Sequence, residues 1–322
     1  MRAAVRVRYG PPTKVVEVVD LEKPAPAADE VLVRVRAASV NVSDWYSVVG
    51  RAARVSMGVF RPKETRLGVD YAGVVEEVGR DVQDFQPGDE VFGGRTGAFA
   101  DYVAAKADRA IVHKPAGVSF EIAAATPIAA ITAMQALGDK GGLSAGEKVL
   151  IHGASGGVGT YAVQVAKALG ASVTAVCSTP NVEIARSLGA DRVVDYGVED
   201  FTRGNERYDL LIDVAGIRPF GQLRRVLTRD ARVVVVGGPR SNRVLGPLGH
   251  VIRTKLRSLV ASQTATFFIA RLDKPGMETI RDLLASGQLT SAIDSTYPLE
   301  RVAEALEHQG SGHPRGKIVV TV

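Results

Sequence analysis

The run Val149-Leu150-Ile151-His152-Gly153-Ala154-Ser155-Gly156-Gly157-Val158-Gly159 places four glycines after a short strand whose first three residues are apolar. A buried strand that turns through such a loop into a helix leaves bare backbone N–H groups at the positive end of the helix dipole, and the chemistry of that arrangement is anion binding. The N–H groups of Ser155 to Val158 would meet a diphosphate. Gly156 would let the backbone approach it, and Gly159 would let the helix pack closely on the strand. Ala154 stands where a G-x-G-x-x-G pattern has its first glycine. A ligand-free strand-to-helix turn would use the same glycines. The context favours the ligand, because a strand precedes the turn and a helix and a second strand follow it.

The end of that second strand bears on which dinucleotide would bind. NAD sites place an acid there to bond the ribose hydroxyls. Here the chain reads Cys177-Ser178-Thr179-Pro180-Asn181, two hydroxyls and no carboxylate, which favours NADPH while leaving NADH possible. Metal chemistry finds no support in spacing. Cys177 is the single cysteine, and none of the five histidines forms an HxxxH or HExxH pair, so no zinc is expected. The formal charge of +5 arises from basic residues interleaved with 35 acids, without the clustered footprint of a nucleic-acid binder. A mild positive balance also suits a polyanionic cofactor. No apolar run of about 18 residues predicts a membrane span. Residues 1–20 alternate valines with Arg2, Arg6, Arg8, Lys14, Glu17 and Asp20, unlike a signal peptide, so a cytoplasmic location is expected.

The elements that must hold these residues fall into two textures. At 322 residues two domains are expected. Up to about residue 120 the chain reads as strands and turns: Arg2–Val7, Val15–Val19, Val31–Val40, Asp70–Val78 and Glu90–Phe92, with no competing helical period. From Phe120 an Ala-rich helix over 121–137 opens an alternation. Its strands are Val149–His152, Val173–Cys177, Arg192–Asp195, Leu210–Val214, Arg232–Val236 and a last one near Leu259–Phe268; helices fall at Gly159–Leu169 and Val182–Leu188. Apolar strands flanked by helices predict an α/β doubly wound parallel sheet beside a barrel-like β domain. Met277–Ala285 reads as a helix and Lys317–Val322 as a closing strand.

With these pieces placed, the sequence resembles the medium-chain dehydrogenase/reductase superfamily, in its zinc-free quinone oxidoreductase branch. The resemblance is carried by Ser39-Val40-Asn41-Val42-Ser43-Asp44-Trp45-Tyr46, Leu67-Gly68-Val69-Asp70-Tyr71-Ala72-Gly73, Gly88-Asp89-Glu90-Val91-Phe92-Gly93, Ile131-Thr132-Ala133, Leu188-Gly189-Ala190-Asp191 and Arg315-Gly316-Lys317. Phe267-Phe268 and Tyr297-Pro298-Leu299 resemble the subgroup of reticulon-4-interacting protein homologues.

The resemblance implies a GroES-like β-barrel domain over 1–123, completed by 271–322, and a Rossmann domain over 124–270, with the active site in the cleft between them. Zinc-dependent relatives keep metal ligands where this chain has Asn41, Val69 and the Pro127–Ala129 neighbourhood. The implied catalytic residues are Asn41, as a donor toward an acceptor oxygen, Tyr46, as a donor or a stacking wall, and Thr132 near the nicotinamide; Asn41 as a turn former and Tyr46 as a packed aromatic are the plainer alternatives. Asp44 is expected to cap a helix or orient neighbours. On the cofactor side the resemblance points to Ser155, Gly156, Gly157 and Val158 at the pyrophosphate, and to Ser178, Thr179 and Tyr196 at the adenosine phosphate. Gly237, Gly238, Phe268 and Ile269 match the nicotinamide side. The expected activity is NADPH-dependent, zinc-independent hydride transfer to a small-molecule quinone or α,β-unsaturated carbonyl, by a homodimer that binds neither nucleic acid nor membrane. The alternative is a dinucleotide-binding, redox-responsive protein with little turnover.

Overall fold

The N-terminal alternation folds into β1 (Arg2–Arg6) and β2 (Val16–Asp20), paired antiparallel and separated by the one-turn helix α1 (Pro12–Val15). The computed structural model describes residues 1–50, 58, 61–238, 248–258 and 261–322. Two units emerge: Met1–Ile131 with Arg271–Val322, and Thr132–Ala270.

In the first unit, β3 (Glu30–Val40) is the organising strand, its valines inward and Arg34 and Arg36 outward. After it come α2 (Val42–Val49), β4 (Asp70–Val78), β5 (Glu90–Gly94), β6 (Tyr102–Lys106) and β7 (Ile111–His113). Then α3 (Phe120–Ala124) and α4 (Pro127–Gln135) follow. The helix expected over 121–137 is therefore broken. Pro127 has no N–H to continue α3, and the residue before a proline avoids helical geometry. Before residue 120 the chain also forms α2, two turns long and too short to print a helical period among the strands.

The second unit alternates strictly. Its elements are β8 (Lys148–His152), α5 (Gly157–Ala168), β9 (Ser172–Cys177), α6 (Val182–Ser187), β10 (Arg192–Asp195), β11 (Tyr208–Asp213), α7 (Phe220–Leu223), β12 (Leu227–Val235), α8 (Leu248–Ser258) and β13 (Thr264–Phe267). The strand expected near Leu259–Phe268 survives as β13, while Leu259 and Val260 lie outside the described residues. All pairings are parallel, in the order β10-β9-β8-β11-β12-β13. This is a Rossmann-type sheet, and its order reverses between β8 and β11. Leu150, Leu211, Val233 and Val235 pack with Phe201, Phe220 and Leu223 into one core under that sheet.

The chain then returns to the first unit through α9 (Lys274–Ala285), β14 (Ile293–Pro298), α10 (Val302–Ser311) and β15 (Lys317–Thr321). The sheet they complete runs β14-β15-β3-β4-β5-β7, with β6 also on β3. Ile318 and Val320 of β15, Leu306 of α10 and Trp45 of α2 share a core cluster with Val40 and Phe99, in the GroES-like unit expected from sequence.

Candidate functional site

The glycine turn forms as the sequence requires. Gly153 adopts φ +91°, a left-handed conformation open to glycine. A Cβ on Gly159 would lie 2.1 Å from the carbonyl oxygen of Gly153, so only glycine lets α5 seat against the turn. A Cβ on Gly156 would find nothing closer than that same oxygen, at 3.6 Å, so the space in front of the turn is open. Helix α5 carries no side-chain cap and no acidic residue in its first turn, leaving its leading N–H groups and positive dipole end for an anion. One detail differs from the sequence reading. Gly156 spends its N–H on Gly153 O at 3.2 Å, so it contributes clearance and the donors come from its neighbours. A diphosphate fits this cradle.

Across from the turn, the end of β9 presents Ser178 and Thr179, and a residue missed by the sequence reading joins them to it. Asn181, buried, places its Nδ2 2.9 Å from Ser178 Oγ and 3.2 Å from Ser155 Oγ, tying the two hydroxyls of the expected pyrophosphate and adenosine positions to one amide. Its Oδ1 is buried with no hydrogen-bond partner, an acceptor available to a ligand hydroxyl or amine. Tyr196, half-exposed, begins the loop after β10. The expectation that no carboxylate is at hand needs correction. The parallel register sets Asp195 opposite Cys177. Asp195 Oδ1 accepts the Gly197 N–H at 2.8 Å, and a Cβ on Gly197 would lie 3.1 Å from that oxygen and 3.4 Å from Thr179 Oγ1. Burial pushes the Cys177 thiol up to about 11, with Asp195 adding to the shift, so it stays a thiol at neutral pH.

At the point where the strand order reverses, β8 and β11 end on His152 and Asp213, which face each other in register. His152 Nδ1 lies 2.8 Å from Asp213 Oδ1, His250 Nε2 of α8 lies 3.0 Å from Oδ2, and Gly216 donates its N–H to Oδ1 at 2.8 Å. Burial alone would raise the Asp213 carboxyl; the bonds from His152 and His250 outweigh it and hold the group down at about 2. The candidates Gly237 and Gly238 sit beside this cluster. A Cβ on Gly237 would lie 2.1 Å from Val214 O, and one on Gly216 would lie 2.4 Å from the Gly238 Cα. Phe268 and Ile269 follow β13, Ile269 largely exposed.

In the first unit the structure gathers Ser39, Asn41, Asp44, Asp70 and Lys317, all buried. Asn41 Nδ2 donates to Asp70 Oδ2 at 2.9 Å, and Lys317 Nζ donates to Asn41 Oδ1 at 2.5 Å and lies 3.7 Å from Asp70 Oδ2. Ser39 Oγ and the Ile128 N–H, both at 3.2 Å, complete the shell of Asp70. A carboxylate only accepts and an ammonium only donates, so the Asn41 amide has one orientation. Asp44 accepts the Asn41 N–H at 2.7 Å, the helix-start role expected of it. Burial pushes its carboxyl up to about 7, against the pull of that N–H. Burial likewise raises Asp70 and lowers Lys317. Tyr46 lies with its ring 5.0 Å from that of Trp45 and packs, partly buried, against the core of the first unit. Thr132, buried on α4, belongs to the second unit. Among the described residues no group of three or more His, Cys, Asp or Glu could hold a metal ion, and no helix is long and apolar enough to cross a membrane.

Comparison with known proteins agrees with this architecture. Residues 27–116 match the alcohol dehydrogenase GroES-like domain family, and residues 188–320 match the zinc-binding dehydrogenase family. The chain is 32% identical to the chloroplastic quinone-oxidoreductase QR1 of Triphysaria versicolor, over 99% of this chain and 98% of that protein. It is 35% identical to the mitochondrial NAD(P)H oxidoreductase RTN4IP1 of Mus musculus, over 91% of this chain and 82% of that one. Among solved structures, the quinone oxidoreductase of Escherichia coli complexed with NADPH superposes with a TM-score of 0.83 at 26% identity, covering 100% of both chains.

Proposed function

The chain belongs to the quinone oxidoreductase branch of the medium-chain dehydrogenase/reductase superfamily, and on that footing we propose that it reduces a quinone or an α,β-unsaturated carbonyl with NADPH and without zinc. That it is an NAD(P)H-dependent oxidoreductase follows from the family. The nicotinamide, when bound, supplies the hydride. The observation that carries the reading is the open, uncapped turn from Ala154 to Gly159, where α5 aims its leading N–H groups at a space clear of side chains.

The protein's share is binding, orientation and charge placement. Ser155, Gly157 and Val158 would hold the diphosphate, with Gly156 giving clearance. Ser178, Thr179 and Tyr196 would meet the adenosine phosphate. Gly237, Gly238, Phe268 and Ile269 would flank the nicotinamide. Negative charge develops on the acceptor oxygen; Asn41 is the proposed donor toward it, Tyr46 a donor or stacking wall, and Thr132 would sit near the nicotinamide. Independence from zinc is supported by the ligand positions. Val69 carries no donor atom, and the Asn41 oxygen is already taken by the Lys317 ammonium, whose charge opposes a metal cation there. The engaged Asn41 amide and packed Tyr46 also give weight to the second reading, tight dinucleotide binding with little turnover.

Steady-state assays with NADPH against a quinone panel and an enone panel separate the two readings. Oxidation of NADPH by either panel supports the reductase. Tight binding without turnover supports the alternative, and stoichiometric zinc on elemental analysis overturns the metal-free site. We also propose a homodimer: β13 lies at the edge of its sheet, and α8 exposes Ile252 and Leu256. Analytical ultracentrifugation tests it.

A further inference from the structure

We propose that Asp213 is the positioning residue of the dinucleotide site: one carboxylate, clamped between His152 and His250, sets the loops that leave β8 and β11 and ties them to α8. The inference rests on the proposed dinucleotide-binding role of the second unit.

The location is the first argument. In an open α/β sheet the ligand lies outside the carboxyl ends of the strands, at the point where the order reverses. Here that point is the seam between β8 and β11, and His152 and Asp213 are the last residues of those strands, paired across it. His152 is followed directly by the glycine turn. The carbonyl of His152 accepts the N–H groups of Val214 and Ala215 at 2.9 and 3.1 Å, and the carbonyl of Asp213 accepts those of Val236 and Gly237 at 2.9 and 3.2 Å. The main chain of this pair therefore reaches the loops after β11 and β12, while the Asp213 side chain reaches the Gly216 amide and α8.

The second argument is chemical. A fully buried carboxylate is costly unless several donors converge on it. Asp213 receives three, on both oxygens. Its bonds fix the histidine tautomers, with the proton of His152 on Nδ1 and that of His250 on Nε2. An amide in place of the carboxylate has a single acceptor oxygen and would turn N–H groups toward one imidazole.

The test compares variants that keep a donor with variants that remove it. His Nδ1 is matched in position by Asn Nδ2, and His Nε2 by Gln Nε2. Asp213→Asn, His152→Leu and His250→Leu should weaken NADPH binding about tenfold, the loss expected for a broken buried polar contact. KM for NADPH should rise with them, while kcat and KM for the acceptor at saturating NADPH hold. His152→Asn and His250→Gln should recover most of the affinity. In the same variants without cofactor, hydrogen exchange should quicken at the amides of Gly153–Gly159 and Val214–Gly216 only where the donor or carboxylate is lost. Unchanged NADPH affinity in Asp213→Asn, or equal losses in the donor-keeping and donor-lacking pairs, overturns the proposal. If the parent protein fails to bind NADPH, the dinucleotide reading falls, and the exchange pattern alone then decides whether Asp213 positions these loops.

Discussion

A carboxyl that folds with its proton on makes stability depend on pH in the direction opposite to an ordinary surface acid. Asp44 is ordinarily half-ionised near 3.8 and in the fold only at about 7. Its burial is therefore tolerated below the lower value, opposes folding increasingly as pH rises from the lower value to the upper one, and opposes it by a constant amount beyond that. The whole shift corresponds to about 4 kcal/mol. Asp44→Asn keeps an acceptor for the Asn41 N–H and cannot ionise, so the variant should melt higher than the parent at pH 8, with the gap shrinking at pH 5. Thermal unfolding at the two pH values checks it, and a gap independent of pH contradicts the assignment. On the cofactor side, Asp195→Asn should raise the NADPH over NADH ratio of kcat/KM, because a carboxylate beside Thr179 repels a 2′-phosphate; Ser178→Asp should lower it. Neither Asp195 nor Asn181 was legible as a site residue. Ser155 and Ser178 are found by their place after a strand, whereas Asp195 arrives from a different strand through register, and Asn181 matters through an amide that bridges two turns. The buried group around Asp70 was equally hidden, since Asn41 and Lys317 are joined by the sheet and far apart in sequence.

At the scale of the element, two glycines of one turn serve opposite purposes. Gly156 faces open space, so Gly156→Asp should leave the second unit folded while its carboxylate repels the diphosphate and abolishes NADPH binding. Gly159 is packed against Gly153 O, so Gly159→Val should lower the melting temperature as well as binding. Circular dichroism with calorimetric titration separates the outcomes; equal effects on folding would show that the turn has no free face. The strand–turn–helix unit was readable from sequence because its constraints are local, and α5 differs from the expected helix by two residues at its start, Gly157, and one at its end, Ala168. What failed to register were elements held by tertiary contact. Helix α2 is brief, and its length is set by the Asn41–Asp44 start and the Gly50 end, while α10 and β14 depend on packing against β15 and the rest of the first unit.

Over the whole molecule the basic excess acts at a distance. With a formal charge of +5, association of a polyanionic dinucleotide should slow with salt, and KM for NADPH should rise about threefold between roughly 50 and 300 mM ionic strength. A flat profile would mean that local donors alone govern capture. The division into a strand-rich and an alternating part was legible in texture, since both follow from hydrophobic period. The return of residues 271–322 to the first unit was legible only through resemblance, because β15 finds β3 by antiparallel pairing with a strand nearly 280 positions earlier. That return imposes an order of assembly during synthesis. The stretch Thr132–Ala270 is continuous and can condense as it leaves the ribosome, whereas β3 must wait with an open flank until β15 is made. Until then Asp70 lacks the Lys317 ammonium that lies 3.7 Å from it in the fold.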